Sequence, residues 1–544
     1  MQLLPHRNVS TYRQEMPMPV PSDQSEFTVP GVGLYEYLYG SLTPDDEDRI
    51  AVVDLAEGTE TTYATLRSHV DAAAGWLSRF GVRSGDVIAL QCPNSEAFIV
   101  AAHAVWRLGA VLTPVALHAS AEQVAHQIRD SRATLLLTFA GFGDGGEEAV
   151  ELSGLGRDRL IHLDTSRGLK QMYAERSNPP AVSFDPHTHL AALPYSSGAT
   201  GLPKGVQLTH SNLVANIAQI ETSGVVTRDD VVFGILPFFH IYGLTVLANA
   251  AVRLRAKLVA VPRFHLESFL SAHEEQGVTL TFIAPPVAVA LAKHPAVVDH
   301  DLSTLRAVVS GAAPLDDGLA RAVESRLGIR VYQGYGLTEA GPVTHLNTDD
   351  NLSRGSIGRP VPGTEHKLVD PGTLDEIPVP VEGLSADGEL WVRGPQVMVG
   401  YLGSDEATAV VLPGDGWLRT GDLARQDAAG HVYIVDRLTE IIRHQGQQVA
   451  PAELEALLLA LPDVADAAVV GVSGEDAEEI PEAFVVRQRP LTGDDRSDEE
   501  VAAAIMDAVN TRVEPYKTLR AVEFIAEVPR SATGKTLRRK LRES

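Results

Sequence analysis

The stretch Tyr195–His210, YSSGATGLPKGVQLTH, decides how the rest of the chain is read. An apolar, strand-like run leads into it. Gly198, Gly201 and Gly205 let the backbone turn tightly and approach a ligand closely. Ser196, Ser197 and Thr200 supply hydroxyls that can donate to phosphate oxygens, and Lys204 supplies charge. The spacing differs from the phosphate loop G-x-x-x-x-G-K-[ST], because here Gly198-Ala-Thr-Gly201-Leu-Pro precedes Lys204-Gly205. Taken alone, the stretch is either a phosphate-wrapping loop or a glycine-rich surface turn.

Working outward, short β-rich apolar runs alternate with helical patterns. VIALQC (Val87–Cys92), ATLLLTF (Ala133–Phe139), VTLTFIA (Val278–Ala284) and LRAVVSG (Leu305–Gly311) read as buried strands. SAEQVAHQIRDS (Ser120–Ser131) and PPVAVALAKHP (Pro285–Pro295) read as helices. Such alternation predicts α/β layers with largely parallel sheets. FGDGGEEAVELSG and TGDDRSDEE read as polar surface loops. No fixed-period repeat is visible. A boundary is expected near residues 434–437. Beyond it, APAELEALLLALPDV reads as a helix, AAVVGV as a strand, and Glu499–Val513 as another helix, making a small α+β unit.

The chain of 544 residues allows about three or four cores at roughly 150 residues each. Hydrophobic content of 44% and charged content of 21% are those of an ordinary globular protein. The net charge of −26 argues against general nucleic-acid binding, so an anionic ligand must be held by local cations and backbone N–H groups. The one cysteine, Cys92, excludes an internal disulfide framework and any multi-cysteine metal site, and suits a reducing cytoplasm. The first two dozen residues are broken by prolines and do not read as a signal peptide. Val231–Val252 carries no Asp, Glu, Lys or Arg and is long enough on paper to span a bilayer. Gly234, Pro237, His240 and Gly243 interrupt it, so a buried strand and helix around a ligand pocket is expected, and no membrane span.

Further motifs follow the glycine loop: LPFFHIYGL (Leu236–Leu244), SGAAPL (Ser310–Leu315), YQGYGLTEAGPV (Tyr332–Val343), GELWVRGPQVMVGYL (Gly388–Leu402), GWLRTGDL (Gly416–Leu423), VDRLTEIIRHQGQQVAPAELE and PRSATGK. Together and in this order they resemble the adenylate-forming superfamily. Its phosphate loop reads roughly [ST]-S-G-[ST]-T-G-x-P-K-G, with Ala199 here replacing one hydroxyl. The resemblance is strongest to the 4-coumarate–CoA ligase branch. It extends over nearly everything after residue 30, including FIAPPVAVALAKHPAVVDHDLSTLRAVVSGAAPL. It implies an arm over residues 1–30, an N-terminal adenylation domain over 31–435, and a mobile C-terminal domain over 436–544.

The resemblance also implies roles. Lys204, His240, Thr338, Glu339 and Lys535 would be the catalytic set, with Glu339 holding Mg²⁺. ATP and AMP would lie among Ser196, Ser197, Gly198, Thr200, Gly201, Gly311, Ala312, Ala313, Gln333, Gly334, Tyr335, Gly336, Asp422 and Arg437. Tyr335 would stack on adenine, and Asp422 and Arg437 would hold the ribose. The acyl pocket would be lined by Tyr242, Val246, Ala312, Gly334, Pro342, Val343 and Thr344. Lys535 would bridge the attacking carboxylate and the α-phosphate, because a fixed cation offsets the repulsion of two anions meeting in line. Without the motif order, Glu339 or Asp422 would read as a capping carboxylate, His240 as a core histidine and Lys535 as part of a basic tail.

The implied reaction has two steps: a carboxylate attacks the α-phosphate of ATP, giving acyl-AMP and pyrophosphate, and CoA thiol then displaces AMP. The C-terminal domain would turn about Asp436 between the steps, bringing in a CoA loop of Arg443, His444, Gln445, Gly446 and Gln448. Here the chain departs from its branch, since Thr439, Arg443 and Gln445 stand where lysines are common. The expected partners are ATP, CoA and a small carboxylic acid, a phenylpropanoid or other aryl acid ahead of a fatty acid. A carrier protein is the alternative acceptor, and the chain is expected to act as a monomer or homodimer in the cytoplasm. Retention of Lys204, Glu339, Asp422, Arg437 and Lys535 argues against a non-catalytic relic.

Overall fold

A computed structural model describes residues 20–21, 27–143, 145–166, 168–196, 203–445, 447–473, 479–488, 496–531 and 534–542. Among these the chain forms three large sheets up to Arg437 and two small ones after it. The nine-stranded sheet runs in the order Arg359–Pro360, Val343–Leu346, Arg330–Gly336, Ala307–Ser310, Leu280–Ile283, Val231–Gly234, Lys257–Ala260, Ile50–Asp54, Thr59–Thr62. Its interior pairs are parallel, and its edge strands Val343–Leu346, Arg359–Pro360 and Thr59–Thr62 are antiparallel. The eight-stranded sheet has a parallel half built on Val87–Leu90, Val111–Pro114, Leu135–Thr138 and Leu160–His162. Its other half carries Lys204–Thr209. The six-stranded sheet contains Glu365–Val369, Gly388–Arg393, Leu418–Gln426 and Val432–Arg437, all antiparallel.

The expected α/β layering is thus present. The runs read as strands are strands at Val87–Leu90, Leu135–Thr138, Leu280–Ile283 and Ala307–Ser310. They are fully buried or nearly so, as parallel strands covered on both faces must be. The helices expected at Ser120–Ser131 and Pro285–Pro295 form at Ala121–Ser131 and Pro285–Lys293. A capping box on Ser120 starts the first, and two prolines at the N-terminal turn start the second.

One loop expectation fails. Gly145–Ser153, inside FGDGGEEAVELSG, is a helix, with Ala149 and Val150 fully buried against the parallel sheet. Its apolar face is only two residues wide, so the acidic and glycine content dominated the reading. In TGDDRSDEE, Asp498 and the residues after it begin the helix Asp498–Asn510, capped by Ser497. The uncharged stretch Val231–Val252 divides into the strand Val231–Gly234, a π-helical segment Gly243–Asn249, and the start of the helix Ala250–Leu254. No described helix is long and apolar enough to cross a membrane.

After Arg437 the backbone makes the hairpin Ile442–His444/Gln447–Val449 and a three-stranded sheet of Val464–Ser473, Glu479–Arg487 and Ala521–Phe524. The helices Pro451–Leu459 and Asp498–Asn510 pack on it around Leu454, Leu458, Val469, Val485, Val501 and Ile505. This cluster is separate from the cores of the large sheets.

Candidate active site

The glycine loop joins two short antiparallel strands, and their register sets Ser196 opposite Lys204 and Tyr195 opposite Gly205. Residues 197–202 lie outside the described residues, so the expectations for Ser197, Gly198, Thr200 and Gly201 fall there. The ends of the loop are placed. Strand Lys204–Thr209 pairs on its other side with Gly400–Tyr401, Val206 opposite Tyr401. The ammonium of Lys204 lies 5.4 Å from the centre of the Tyr401 ring, within cation–π range.

Glu339 meets this group from a different sheet. It sits in the turn Thr338–Ala340 that follows strand Arg330–Gly336. Its Oε1 accepts hydrogen bonds from Ser196 Oγ at 2.9 Å and from the Tyr401 hydroxyl at 2.8 Å. Its backbone carbonyl accepts from Met398 N at 2.8 Å. Burial, and then the charge of Glu339, pushes the Tyr401 phenol well above its usual range, so it stays a hydrogen-bond donor. Among the described residues Oε2 of Glu339 has no hydrogen-bond partner, and no cluster of three metal-ligating side chains occurs. A single carboxylate oxygen facing a phosphate loop fits Mg²⁺, which keeps most of its ligands as water and substrate phosphate. Tyr401 falls within the motif Gly388–Leu402, but nothing in its local sequence marks it as a partner of Glu339.

The residues expected to hold the nucleotide are carried in part by the same strand Arg330–Gly336. The amide oxygen of Gln333 accepts from Leu315 N at 3.0 Å, which holds the Gly311–Ala313 turn against the strand. Ala312 takes the left-handed conformation there, with φ 69°. Tyr335 donates its phenol hydrogen bond to Oδ2 of Asp422, and Arg437 Nε pairs with Oδ1 of Asp422 at 3.0 Å. Asp422 and Arg437 are direct cross-strand neighbours. Asp422 is buried, and it is the largest cause holding the Arg437 guanidinium above its usual range. At Gly336 an added Cβ would fall 2.1 Å from the carbonyl oxygen of Pro342, so only glycine fits between the two strands.

The segments expected to line the acyl pocket are also brought together. Thr245 Oγ1 donates to the carbonyl of Gly341 at 2.9 Å, joining the segment that carries Tyr242 and Val246 to Pro342 and Val343. Asn216 donates to the carbonyl of Val343 at 2.8 Å and accepts from its N–H at 3.0 Å. The Tyr242 hydroxyl lies where a Cβ on Gly311 would come within 2.8 Å, so the ring lies against bare backbone. Gly334, on strand Arg330–Gly336, is half-buried. Burial pushes His240 down to about 4, so its ring is neutral near pH 7, and its Nδ1 accepts from Tyr242 N at 3.2 Å. Thr344 is fully buried, with its hydroxyl 3.0 Å from His345 Nδ1. From there a chain runs to His366 at 2.9 Å and to the Gln426 amide oxygen at 3.1 Å, linking two sheets.

Lys535 belongs to the turn after Ser531, whose N–H donates to the Lys535 carbonyl at 2.8 Å. Burial, then the positive charge of Arg437, holds its ammonium below the usual lysine range, while Asp422 and Glu440 pull the other way. The last motif of the chain therefore lies near enough to Arg437 and Asp422 to feel their charges. The hairpin with Arg443, Gln445 and Gln448 exposes those three side chains and buries His444. His444 Nδ1 bonds to the Glu479 carbonyl at 2.8 Å, and Arg443 N donates to the Glu479 carboxylate at 2.9 Å. Gln445 stands at the hairpin tip in the left-handed conformation, φ 52°; Gly446 lies outside the described residues.

Two family models match the chain: AMP-binding enzyme over residues 44–402, and AMP-binding enzyme C-terminal domain over residues 453–535. Among curated proteins, 4-coumarate–CoA ligase 5 of Oryza sativa subsp. japonica is 38% identical over 94% of this chain and 94% of its own. Among solved structures, ATP-bound MatB from Rhodopseudomonas palustris aligns with a TM-score of 0.83 at 28% identity, covering 94% of this chain and 99% of that one. The anthranilate CoA ligase AuaEII in complex with anthranoyl-AMP aligns with a TM-score of 0.85 over 94% of this chain and 97% of that one. At 24% identity that likeness speaks for the fold alone.

Proposed function

The chain belongs to the family of AMP-binding enzymes and is an adenylate-forming acid–CoA ligase that uses ATP, Mg²⁺ and CoA, and we propose that its acid is a phenylpropanoid or other aryl acid such as cinnamate or 4-coumarate. The observation that carries this reading is the convergence of five charged side chains, Lys204, Glu339, Asp422, Arg437 and Lys535, from distant parts of the chain. Ser196, Lys204, Tyr401 and Glu339 gather in one cluster, read here as the phosphate end; Tyr335, Asp422 and Arg437 gather in another, read as the nucleoside end; Lys535 stands in the field of Arg437 and Asp422.

The chemistry follows from that layout. Lys204 and the loop hydroxyls receive the β- and γ-phosphates that leave as pyrophosphate. Mg²⁺ bound by Glu339 would neutralise phosphate charge. Lys535 holds the carboxylate of the acid and the α-phosphate together, compensating charge that develops as the new bond forms. Asp422 accepts from the ribose hydroxyls and Arg437 donates to the ribose, which fixes the α-phosphate relative to Lys535. Neutral His240 adds no repulsive or competing charge beside the acyl carboxylate. After acyl-AMP forms, the unit beyond Asp436 turns and the hairpin of Arg443, Gln445 and Gln448 takes the place of Lys535 for CoA attack. The division into an arm over 1–30, an adenylation domain over 31–435 and a mobile domain over 436–544 is part of this reading.

Support for an aryl acid comes from the hydroxyl edge of the Tyr242 ring lying close against Gly311, and from relatives named as 4-coumarate–CoA ligases at 36–38% identity. A medium acyl chain would also fit such a slot, since one methylene changes binding by only about 1–3 kcal/mol. One observation favours a second acceptor. Gln445 at the exposed hairpin tip brings no charge where CoA phosphates would need it, which suits transfer to a carrier protein.

Product analysis by mass spectrometry tests both points. The protein is given Mg-ATP with cinnamate, 4-coumarate, benzoate and fatty acids, with and without CoA. Cinnamoyl- or coumaroyl-CoA is the expected product. Fatty acyl-CoA alone would reject the aryl reading, and acyl-AMP that persists when CoA is added would favour a carrier.

A further inference from the structure

The helix Pro285–Lys293 touches the C-terminal unit at both of its ends. At its N-cap, a Cβ on Gly534 would come within 2.9 Å of the Ala284 methyl, so the backbone beside Lys535 rests directly on Ala284. At its other end, Lys293 Nζ donates to the carbonyl of Leu459 at 2.7 Å and lies 3.3 Å from the carbonyl of Val464. Nine residues of helix separate these contacts, a span of about 13 Å.

Leu459 is the last residue of the helix Pro451–Leu459. Its carbonyl belongs to the final turn, where carbonyls lack intrahelical partners and the helix dipole favours a cation. Lys293 therefore supplies a C-terminal cap from another part of the fold. Packing against the C-terminal unit desolvates its ammonium and holds it below the usual lysine range. Neither Leu459 nor Val464 offers a side-chain function, so the contact reads the position of the unit rather than any chemistry within it.

We propose that Lys293 is a positioning residue for Lys535. It latches the C-terminal unit in the arrangement that rests the Lys535 turn on Ala284, and that latch must open when the unit turns for thioester formation. This rests on the reading that Lys535 serves acyl-AMP formation. The two contacts at the ends of one helix form a baseline: Ala284 fixes where the Lys535 turn sits, and Lys293 fixes the angle of the unit about that point.

The experiment separates the half-reactions in Lys293→Met, Lys293→Arg and Lys535→Ala. Acyl-AMP formation is followed by ATP–pyrophosphate exchange with cinnamate, or with whichever acid the product analysis returns; thioester formation is followed from supplied acyl-AMP and CoA. Loss of a charged hydrogen bond predicts that Lys293→Met lowers the exchange kcat about ten- to a hundred-fold, with little change in KM for ATP. Thioester formation should be unchanged or faster, because the latch no longer holds the first arrangement. Lys293→Arg, which keeps a donor, should recover most of the exchange rate. Equal losses in both half-reactions, or full exchange in Lys293→Met, would overturn the proposal. If Lys535→Ala itself spares exchange, the underlying reading of Lys535 fails instead, and that result is separable from the first two. Lys293 is exposed enough for its variants to fold, which a thermal melt of each verifies.

Discussion

Tyr335 and Asp422 are 87 residues apart in sequence and share a hydrogen bond, the phenol donating to Oδ2 of the carboxylate. Arg437 occupies the other oxygen. The residue assigned to adenine and the residue assigned to ribose are therefore one hydrogen-bonded unit. Tyr335→Phe keeps the ring and removes the donor. A hydrogen bond to a charged group is worth about 1.5–3 kcal/mol, so KM for ATP should rise about ten- to a hundred-fold while KM for the acid stays near wild type. An unchanged KM for ATP would mean that the Tyr335 phenol does not orient Asp422.

Tyr401 holds Glu339 from the edge of the eight-stranded sheet and lies under Lys204. Tyr401→Phe should leave the fold stable and raise the Mg²⁺ concentration needed for half-maximal acyl-AMP formation several-fold, since Glu339 loses one of the two donors that aim it. Titration of pyrophosphate exchange against Mg²⁺ at saturating ATP checks this. A loss of rate with no shift in the Mg²⁺ midpoint would place Tyr401 outside metal binding.

Lys535→Ala should abolish acyl-AMP formation yet leave thioester formation from supplied acyl-AMP largely intact. Equal loss in both steps contradicts the role assigned to the lysine.

Gln445→Lys adds a charge at the exposed hairpin tip. Adenylation should not change, because Arg443 and His444 beside the tip are anchored to Glu479 of the same unit. Thioester formation should accelerate if the missing charge limits CoA attack. An unchanged rate would show that Arg443 or another group already compensates.

Acid should weaken the fold in a defined window. Burial pushes His103, His273 and His366 down to about 4, His210 to about 3, and His345 well below its usual range. An unfolded histidine titrates near 6.5. Between those values the unfolded chain binds protons that the folded chain refuses, so stability falls as pH drops from about 6.5 towards 4. Asp436 runs the other way. Burial raises it to about 6, so its protonation favours the folded chain as pH falls through the same window, but it is one group against those five and His240. Urea midpoints between pH 7.5 and 4.5 should decline, and His366→Gln should flatten the slope. A level profile would refute the claim.

Much of this architecture is legible in the chain itself. VIALQC and LRAVVSG are apolar runs with turn residues at their ends, and such runs have few ways to be buried except as central strands. The helix Pro285–Lys293 announces itself by its prolines and its length. Gly145–Ser153 does not, because its two buried apolar side chains, Ala149 and Val150, are outvoted by neighbours whose chemistry is that of a loop. Tyr401 was missed for a different reason. It gains its role only from the pairing of Gly400–Tyr401 with Lys204–Thr209, which no local pattern encodes.

The sequence by itself determined the types of group at the site: the hydroxyls and lysine of a phosphate loop, an oxygen ligand for a hard cation, and a lysine near the chain end. These are properties of side chains and survive any arrangement. Tertiary structure decided which of them share atoms. Ser196 and Tyr401 meet on one oxygen of Glu339, Tyr335 and Arg437 divide the two oxygens of Asp422, and Lys293 reaches the end of a helix that lies past Asp436. Contacts between residues so far apart depend on strand register and on the docking of separate sheets, and hydrogen bonds form or fail within a few tenths of an ångström.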